Sequence, residues 1–323
     1  MMHDLHLPRP SAEHLLRRIS DHLALLRPSH WAKSLIAIPI GPVLMLDQAT
    51  IPALVTLAGT VTMFILASAA VYVVNDLSDI ERDRLHPAKS SRPLASGAVS
   101  PRTALWMLAG LVGAMAALSF ALPALLTAIV VLYLACNLTY SLWLKHVPIV
   151  EMLIVAAGFA LRTASGYVAF GAVPDPWVIA TVLAGSLLLT VGKRRGELRR
   201  VQGSEDHRPV LAHYTEPLLD AYLLIAAIAC FGSGLAAMMR VFEDANLQAL
   251  FFVSLPFAIY LFKRYLLLAF AGRGTSNPTK LLLADRTIHI VLLVWALALG
   301  LGAAVGDLAF EGLTVAHATE VAL

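Results

Sequence analysis

The chain has 323 residues, 59% of them hydrophobic and only 14% charged, with a formal net charge of +3. An ordinary soluble domain carries about 25% charged residues, and here long apolar runs recur along the whole length. A soluble globular enzyme, a disordered chain and a soluble domain on a single anchor are therefore excluded.

A helix needs roughly 20 apolar residues to cross the hydrocarbon core, and only helices and closed barrels satisfy their backbone there. The runs are long and do not alternate, so the expected fold is all-α and polytopic. Residues 1–32 form the first segment and lack the continuous apolar core of a signal peptide. Leu15, Ile19, Leu23 and Leu26 share one helical face, with Arg17 and Arg18 opposite. That pattern predicts an amphipathic helix in the cytoplasmic interface.

A transmembrane domain is expected over 33–306. Its nine spans are read at about 33–47, 53–75, 103–121, 124–142, 149–169, 177–193, 218–239, 247–263 and 285–306. With the N-terminus cytoplasmic, all but two of the 24 Lys and Arg fall in cytoplasmic segments or at cytoplasmic helix ends. The exceptions are Arg240, in an outer loop, and Arg162, deep in the fifth span. The odd count leaves a tail, 307–323, outside a plasma (inner) membrane. The long charged loops are cytoplasmic, and function concentrates in such loops. Cys136 and Cys230 sit in apolar runs and read as small buried hydrophobes.

The second span runs directly into Asn75, Asp76, Asp79 and Asp83. Offsets of three and seven put the three carboxylates on one helical face. Stacked like charges repel, and a hard divalent cation such as Mg²⁺ relieves that while keeping room for substrate phosphates. The alternative is a solvated helix end whose acids pair with Arg82 and Arg84. The loop that follows, His86 to Gly97, contains two prolines and a glycine, which predicts a fixed non-helical path. Lys89 and Arg92 on it are either phosphate ligands facing the acids or plain cytoplasmic positive charge. The sixth span ends in Gly192-Lys193-Arg194-Arg195-Gly196-Glu197. Three cations and one acid cannot hold a metal; they can bind phosphate directly or simply stop the span. Arg162 and Glu151 are charges in or beside one span and need partners; a structural role is the leading expectation for Arg162.

Asn75-Asp76-x-x-Asp79-x-x-x-Asp83 followed by Arg92-Pro93-Leu94-Ala95-Ser96-Gly97 resembles the first aspartate motif of the UbiA superfamily of intramembrane prenyltransferases. The resemblance implies nine transmembrane helices, a cytoplasmic-side cavity and Mg²⁺ held by Asp76, Asp79 and Asp83. Ordinary members carry a second aspartate motif where this chain has Lys193 and Arg194. The Gly-Lys-Arg-x-x-Glu-Leu pattern is similar to a branch that transfers 5-phosphoribosyl from phosphoribosyl pyrophosphate (PRPP) to a polyprenyl phosphate, releasing diphosphate. Arg27-Pro28-Ser29-His30-Trp31-Ala32-Lys33-Ser34 and Tyr140-Ser141-Leu142-Trp143-Leu144-Lys145 resemble two further stretches of that branch. His30 and Ser34 stand where the branch has Gln and Asn. Asp285-Arg286 fits, but Thr279 and Lys280 occupy the places of an expected acidic pair.

The resemblance implies that Lys33, Lys89, Arg92, Lys145, Lys193 and Arg194 meet the phosphates of PRPP. Asn75 joins them in the motif, Tyr140 orients a phosphate, and Glu197 accepts ribose hydroxyls or holds Lys193. The expected partners are thus PRPP, a polyprenyl phosphate and the membrane, without nucleic acid; a homo-oligomer is left open. Two competing functions remain: an ordinary prenyltransferase acting on an aromatic or glycerol-phosphate acceptor, and a transporter of a phosphorylated solute. The missing second aspartate motif disfavours the first. The clustering of charge at one face disfavours the second, because transporter sites lie near the midplane between repeats.

Overall fold

The computed structural model describes residues 12–45, 48–85, 89–201, 209–241, 245–271 and 284–298. The described residues are built from helices: α1 (Ala12–Leu26), α2 (Ala32–Ala37), α3 (Ile40–Val43), α4 (Ile51–Ser78), α5 (Ile80–Leu85), α6 (Pro101–Ser119), α7 (Ala124–Leu142), α8 (Val150–Ala169), α9 (Pro176–Val201), α10 (Glu216–Val241), α11 (Ala245–Phe270) and α12 (Arg286–Ala298). Six of these, α4 and α6 to α10, are long and apolar enough to cross a membrane. The chain is a multi-pass membrane protein.

Local chemistry sets the helix starts. Thr50 accepts the Ala53 N–H at the head of α4, and Ser100 accepts the Thr103 N–H at the head of α6. Each is followed by a proline in the first turn, where a missing N–H costs nothing. Asp175 accepts the Trp177 and Val178 N–H groups at the start of α9.

The span expected at 33–47 is corrected. It is two short helices, α2 and α3, with Pro39 and Pro42 in the run. Each proline removes a donor and crowds the preceding turn, so an apolar run of sufficient length does not make a continuous helix. The tail at 307–323 and residues 299–306 of the last expected span lie outside the described residues.

The chain forms two compact units, Met1–Lys145 with Gly158–Pro174, and His146–Ala157 with Asp175–Leu323. In the first, α4 is the central helix and packs against α1, α2, α6 and α7. Its core joins Ile38, Phe64, Ala67, Met115, Val130 and Tyr133. A second cluster joins Leu25 of α1 to Val73, Leu94, Val99 and Ala104. The C-terminal half of α8 belongs to this unit, and Gly166 brings it against the broken leading helices. A Cβ there would collide with the Ile38 carbonyl oxygen.

In the second unit α9, α10 and α11 pack together around Leu188, Val191, Leu219, Leu223, Tyr265 and Ala269. The first turns of α8 contribute Met152 to this core.

Candidate active site

In the first unit the acidic cluster forms where α4 leaves its apolar stretch. The helix stops at Ser78, Asp79 caps it with φ −106° and ψ 10°, and α5 starts again at Ile80. The expected unbroken face of three carboxylates is therefore corrected. Asp76 and Asp83 are each only 3% exposed and converge on Arg92, whose Nη1 donates to Asp76 Oδ1 at 3.2 Å and to Asp83 Oδ2 at 2.5 Å. Asp79 turns to Lys145, with Nζ at 3.3–3.4 Å from both carboxylate oxygens, and to Arg82 at 3.5 Å. The break relieves the repulsion that a straight acidic face would store by letting cations in between.

The loop carrying Arg92 holds a fixed turn, as expected. Its backbone is tied by Arg92 N–H to the Lys89 carbonyl and Val99 N–H to the Pro93 carbonyl. Leu94 and Val99 are buried in the core, and Arg84 donates to the Ala95 carbonyl. Lys89 Nζ stands 4.0 Å from Asp83. His86, Pro87 and Ala88 lie outside the described residues.

One cation of this cluster was not singled out from the sequence. Arg27, between α1 and α2, donates from Nη2 to Asp76 Oδ1 at 2.5 Å. Its φ is +51°, a left-handed conformation disfavoured for a residue with a side chain. Arg27 sat in plain view beside Pro28 in the leading motif, but its partner is 49 residues away. The contact begins a polar ladder down α4, whose rungs Asp76, Tyr72 and Ser68 are spaced by four. Tyr72 meets His30 Nδ1 at 3.0 Å, and the Arg27 guanidinium lies over the Tyr72 ring at 4.7 Å. Ser68 accepts from Arg162 Nη2 at 3.0 Å, and Arg162 Nε donates to Ser34 at 3.1 Å.

Arg162 has the structural part expected of it. It is buried and donates also to Tyr133 at 2.7 Å and to the Gly158 carbonyl at 2.9 Å. The Tyr133 ring lies 4.5 Å from its guanidinium, within reach of a cation–π interaction. These four hydrogen-bond acceptors are neutral. Lys33 is exposed on α2, and Asn75 and Tyr140 are half-buried on α4 and α7.

In the second unit the basic motif lies within α9, which runs on to Val201; the end of the sixth span expected at about 193 is corrected. Arg194 is not an open phosphate ligand. It is 3% exposed, and its guanidinium is taken by both oxygens of Glu151, at 2.5 and 2.6 Å, and by Glu197 at 2.6 Å. Glu151 is wholly buried. Arg195 is equally closed, donating to Asp220 and to the Ala269 and Phe270 carbonyls at the end of α11. Lys193 is 41% exposed and stands 3.8 Å from Glu197. Glu197 thus holds both Lys193 and Arg194. Gly192 of the motif has a packing reason, because a Cβ there would collide with the Tyr265 hydroxyl.

The turn before Glu151 is strained. Ile149 has φ +65°, an outlier for a β-branched residue. Its N–H donates to the Tyr214 hydroxyl at 2.8 Å. Burial pushes the Tyr214 phenol above its ordinary pKa, so it stays neutral. Asp285 pairs with Arg264 at 2.8 Å and caps α12 through the Thr287 and Ile288 N–H groups. Thr279 and Lys280 lie outside the described residues.

The fit of Mg²⁺ rests on the donor set of the first unit. Asp76 and Asp83 offer hard oxygens held on one guanidinium nitrogen, and Mg²⁺ is commonly held by one or two carboxylates plus phosphates and waters. Among the described residues no three acidic, His or Cys side chains are grouped to hold a metal. The third expected ligand, Asp79, is paired with Lys145 and Arg82 in this structure.

Residues 35–284 match the UbiA prenyltransferase family. The chain is 31% identical to a protein of Mycolicibacterium smegmatis named decaprenyl-phosphate phosphoribosyltransferase, over 90% of this chain and 95% of that one. It is 32% identical to the Mycobacterium tuberculosis protein of the same name, over 87% and 93%. Among solved structures, a UbiA homolog from Archaeoglobus fulgidus bound to DMAPP and Mg²⁺ superposes with a TM-score of 0.63 at 17% identity, over 89% of this chain and 99% of that one. The last likeness is one of fold.

Proposed function

The chain belongs to the UbiA prenyltransferase family, and we propose that it transfers 5-phosphoribosyl from PRPP to a polyprenyl phosphate with Mg²⁺, releasing diphosphate. One observation carries this reading. The place of the family's second aspartate motif holds Gly192-Lys193-Arg194-Arg195 instead, and the structure closes two of those cations into ion pairs with acids. Among the described residues the acids beside this motif are paired with its arginines, whereas PRPP brings an extra phosphate that a cation suits. The names of relatives matched over nearly their whole length support the same reading.

In this mechanism Asp76 and Asp83 would supply oxygens to the metal, and Arg27 would keep Asp76 oriented. Bound Mg²⁺ supplies electrostatic stabilisation of the departing diphosphate. Arg92 and Lys89, relieved of the acids, turn to donor phosphate oxygens, and Lys145 beside Asp79 does the same. Positive charge grows at ribose C1, as in glycoside cleavage, beside the carboxylates that remain. The acceptor phosphate attacks C1; its second pKa is near ~6, so it is already an anion and needs no strong base. Lys193 is assigned to phosphate, from the sequence motif alone. The cytoplasmic placement of the N-terminus and of this chemistry, with the C-terminus outside, is part of the proposal and rests on the Lys and Arg distribution.

The test is a turnover assay on the purified protein with Mg²⁺. Diphosphate should be released from PRPP only when polyprenyl phosphate is present. Turnover of a prenyl diphosphate with an aromatic acceptor, and none of PRPP, would replace this reading by ordinary prenyl transfer.

A further inference from the structure

α1 is held to its unit along one edge. Leu25 is fully buried beside Val73, Leu94, Val99 and Ala104. A neighbouring stripe is left open, with Leu16 at 66% and Ile19 and Leu23 each at 48% exposure. Between Ile19, Leu23 and Leu26 of α1 and Met107 of α6 runs an apolar groove of about 350 Å³, with Arg18 and His22 at its margin. His22 Nδ1 is hydrogen-bonded to the Arg18 carbonyl, which lays the ring along the helix.

Two observations say what covers this groove. Only 11% of the apolar window of α6 is buried. In a membrane protein that surface faces hydrocarbon, and the groove continues it. α1 carries the acids Glu13 and Asp21, but the polar residues that line the groove are Arg18 and His22, so a cationic group flanks an apolar floor. A lipid with an alkyl chain and a negative headgroup matches both features.

We propose that the groove between α1 and α6 docks the acyl chain of an anionic membrane phospholipid, with the headgroup phosphate at Arg18. α1 then lies at headgroup depth, and the lipid completes the side of α1 that the protein leaves bare. This site is separate from the proposed transferase chemistry and does not depend on it.

The test uses the full chain in nanodiscs of phosphatidylcholine with or without phosphatidylglycerol. After Cys136→Ala and Cys230→Ala, a nitroxide is attached in turn to Arg17→Cys, Ile19→Cys, Ser20→Cys and Leu23→Cys. Labels at 19 and 23 should meet oxygen more than an aqueous nickel chelate, and labels at 17 and 20 the reverse. In the unlabelled wild type, spin-labelled phosphatidylglycerol should be immobilised in preference to phosphatidylcholine. Arg18→Gln should cut that preference about five-fold, the worth of one basic residue at a membrane surface. Equal aqueous access at all four positions, or no headgroup preference in the wild type, would overturn the proposal. So would dipolar coupling between labels at position 23 of two copies, which would put a second chain on the stripe.

Discussion

The two units each gather opposite charges, and they differ in how far water reaches the cations. In the first, Asp76 and Asp83 are buried, but Arg92 is 27% exposed and Arg27 20%. In the second, Arg194 and Arg195 are 3% exposed and Glu151 not at all. A cation open on one side can exchange its carboxylate for a ligand at modest cost. A pair removed from water on all sides cannot, because separating it strands a charge. Similar residue types therefore make a place for chemistry in one unit and a fixed clasp in the other. Both non-glycine residues with positive φ among the described residues, Arg27 and Ile149, stand beside these clusters, where backbone strain is often kept for a purpose.

The contrast is open to direct attack. Glu151→Gln should have the largest effect, because it removes the buried charge that faces the Arg194 guanidinium on two nitrogens. Breaking a buried pair costs about 3–5 kcal/mol, or roughly 6–20 °C in midpoint for a chain of this class, read by thermal unfolding in detergent. A midpoint within a degree of wild type would show that the clasp is as replaceable as the first cluster. Asp76→Asn should do the opposite: turnover falls by about 10²–10³, the scale of a lost electrostatic group in a transition state, while the midpoint moves little because Arg27 and Arg92 can hydrate. Near-normal turnover would reduce the first cluster to a helix end.

Lys193→Ala comes next. It should weaken PRPP by about 1.5–3 kcal/mol, or roughly 10- to 150-fold, with unchanged Mg²⁺ dependence. Titrations of PRPP and of Mg²⁺ separate the two, and a shift in the metal curve alone would undo the assignment. The smallest change is expected from Tyr214→Phe, which takes the acceptor from the Ile149 N–H at about 1 kcal/mol. Ile149→Gly in that background should recover part of the lost midpoint, since glycine is at home at φ +65°. Additive losses in the double variant would mean that the turn is not what Tyr214 supports.

Much of this was legible beforehand. The expected spans at 124–142 and 149–169 meet α7 and α8 almost residue for residue. Asp76, Asp83, Lys89 and Arg92 come together because the acids and the loop are close in sequence and the turn at Pro93 is tied back by the Val99 N–H. The rest was hidden for identifiable reasons. Hydropathy counts Pro39 and Pro42 as tolerable within an apolar run, although the backbone does not. The stretch from Lys193 to Arg199 looked like the end of a span because its charges are unwelcome in lipid. The helix continues through them because Glu151, Asp220, Glu216 and the α11 carbonyls supply partners. Those partners are 17 to 75 residues away, a distance at which local spacing carries no signal.

The chain order around Arg162 bears on how the protein is made. An arginine at mid-bilayer costs about 2.5–3.5 kcal/mol when a helix is inserted alone. The groups that receive this one, Ser34, Ser68, Tyr133 and Gly158, all precede it in the sequence. Synthesis is vectorial, from the N-terminus onward. When α8 leaves the ribosome, every acceptor for its guanidinium has already been translated. Insertion of the arginine-bearing helix is thereby deferred until its destination exists.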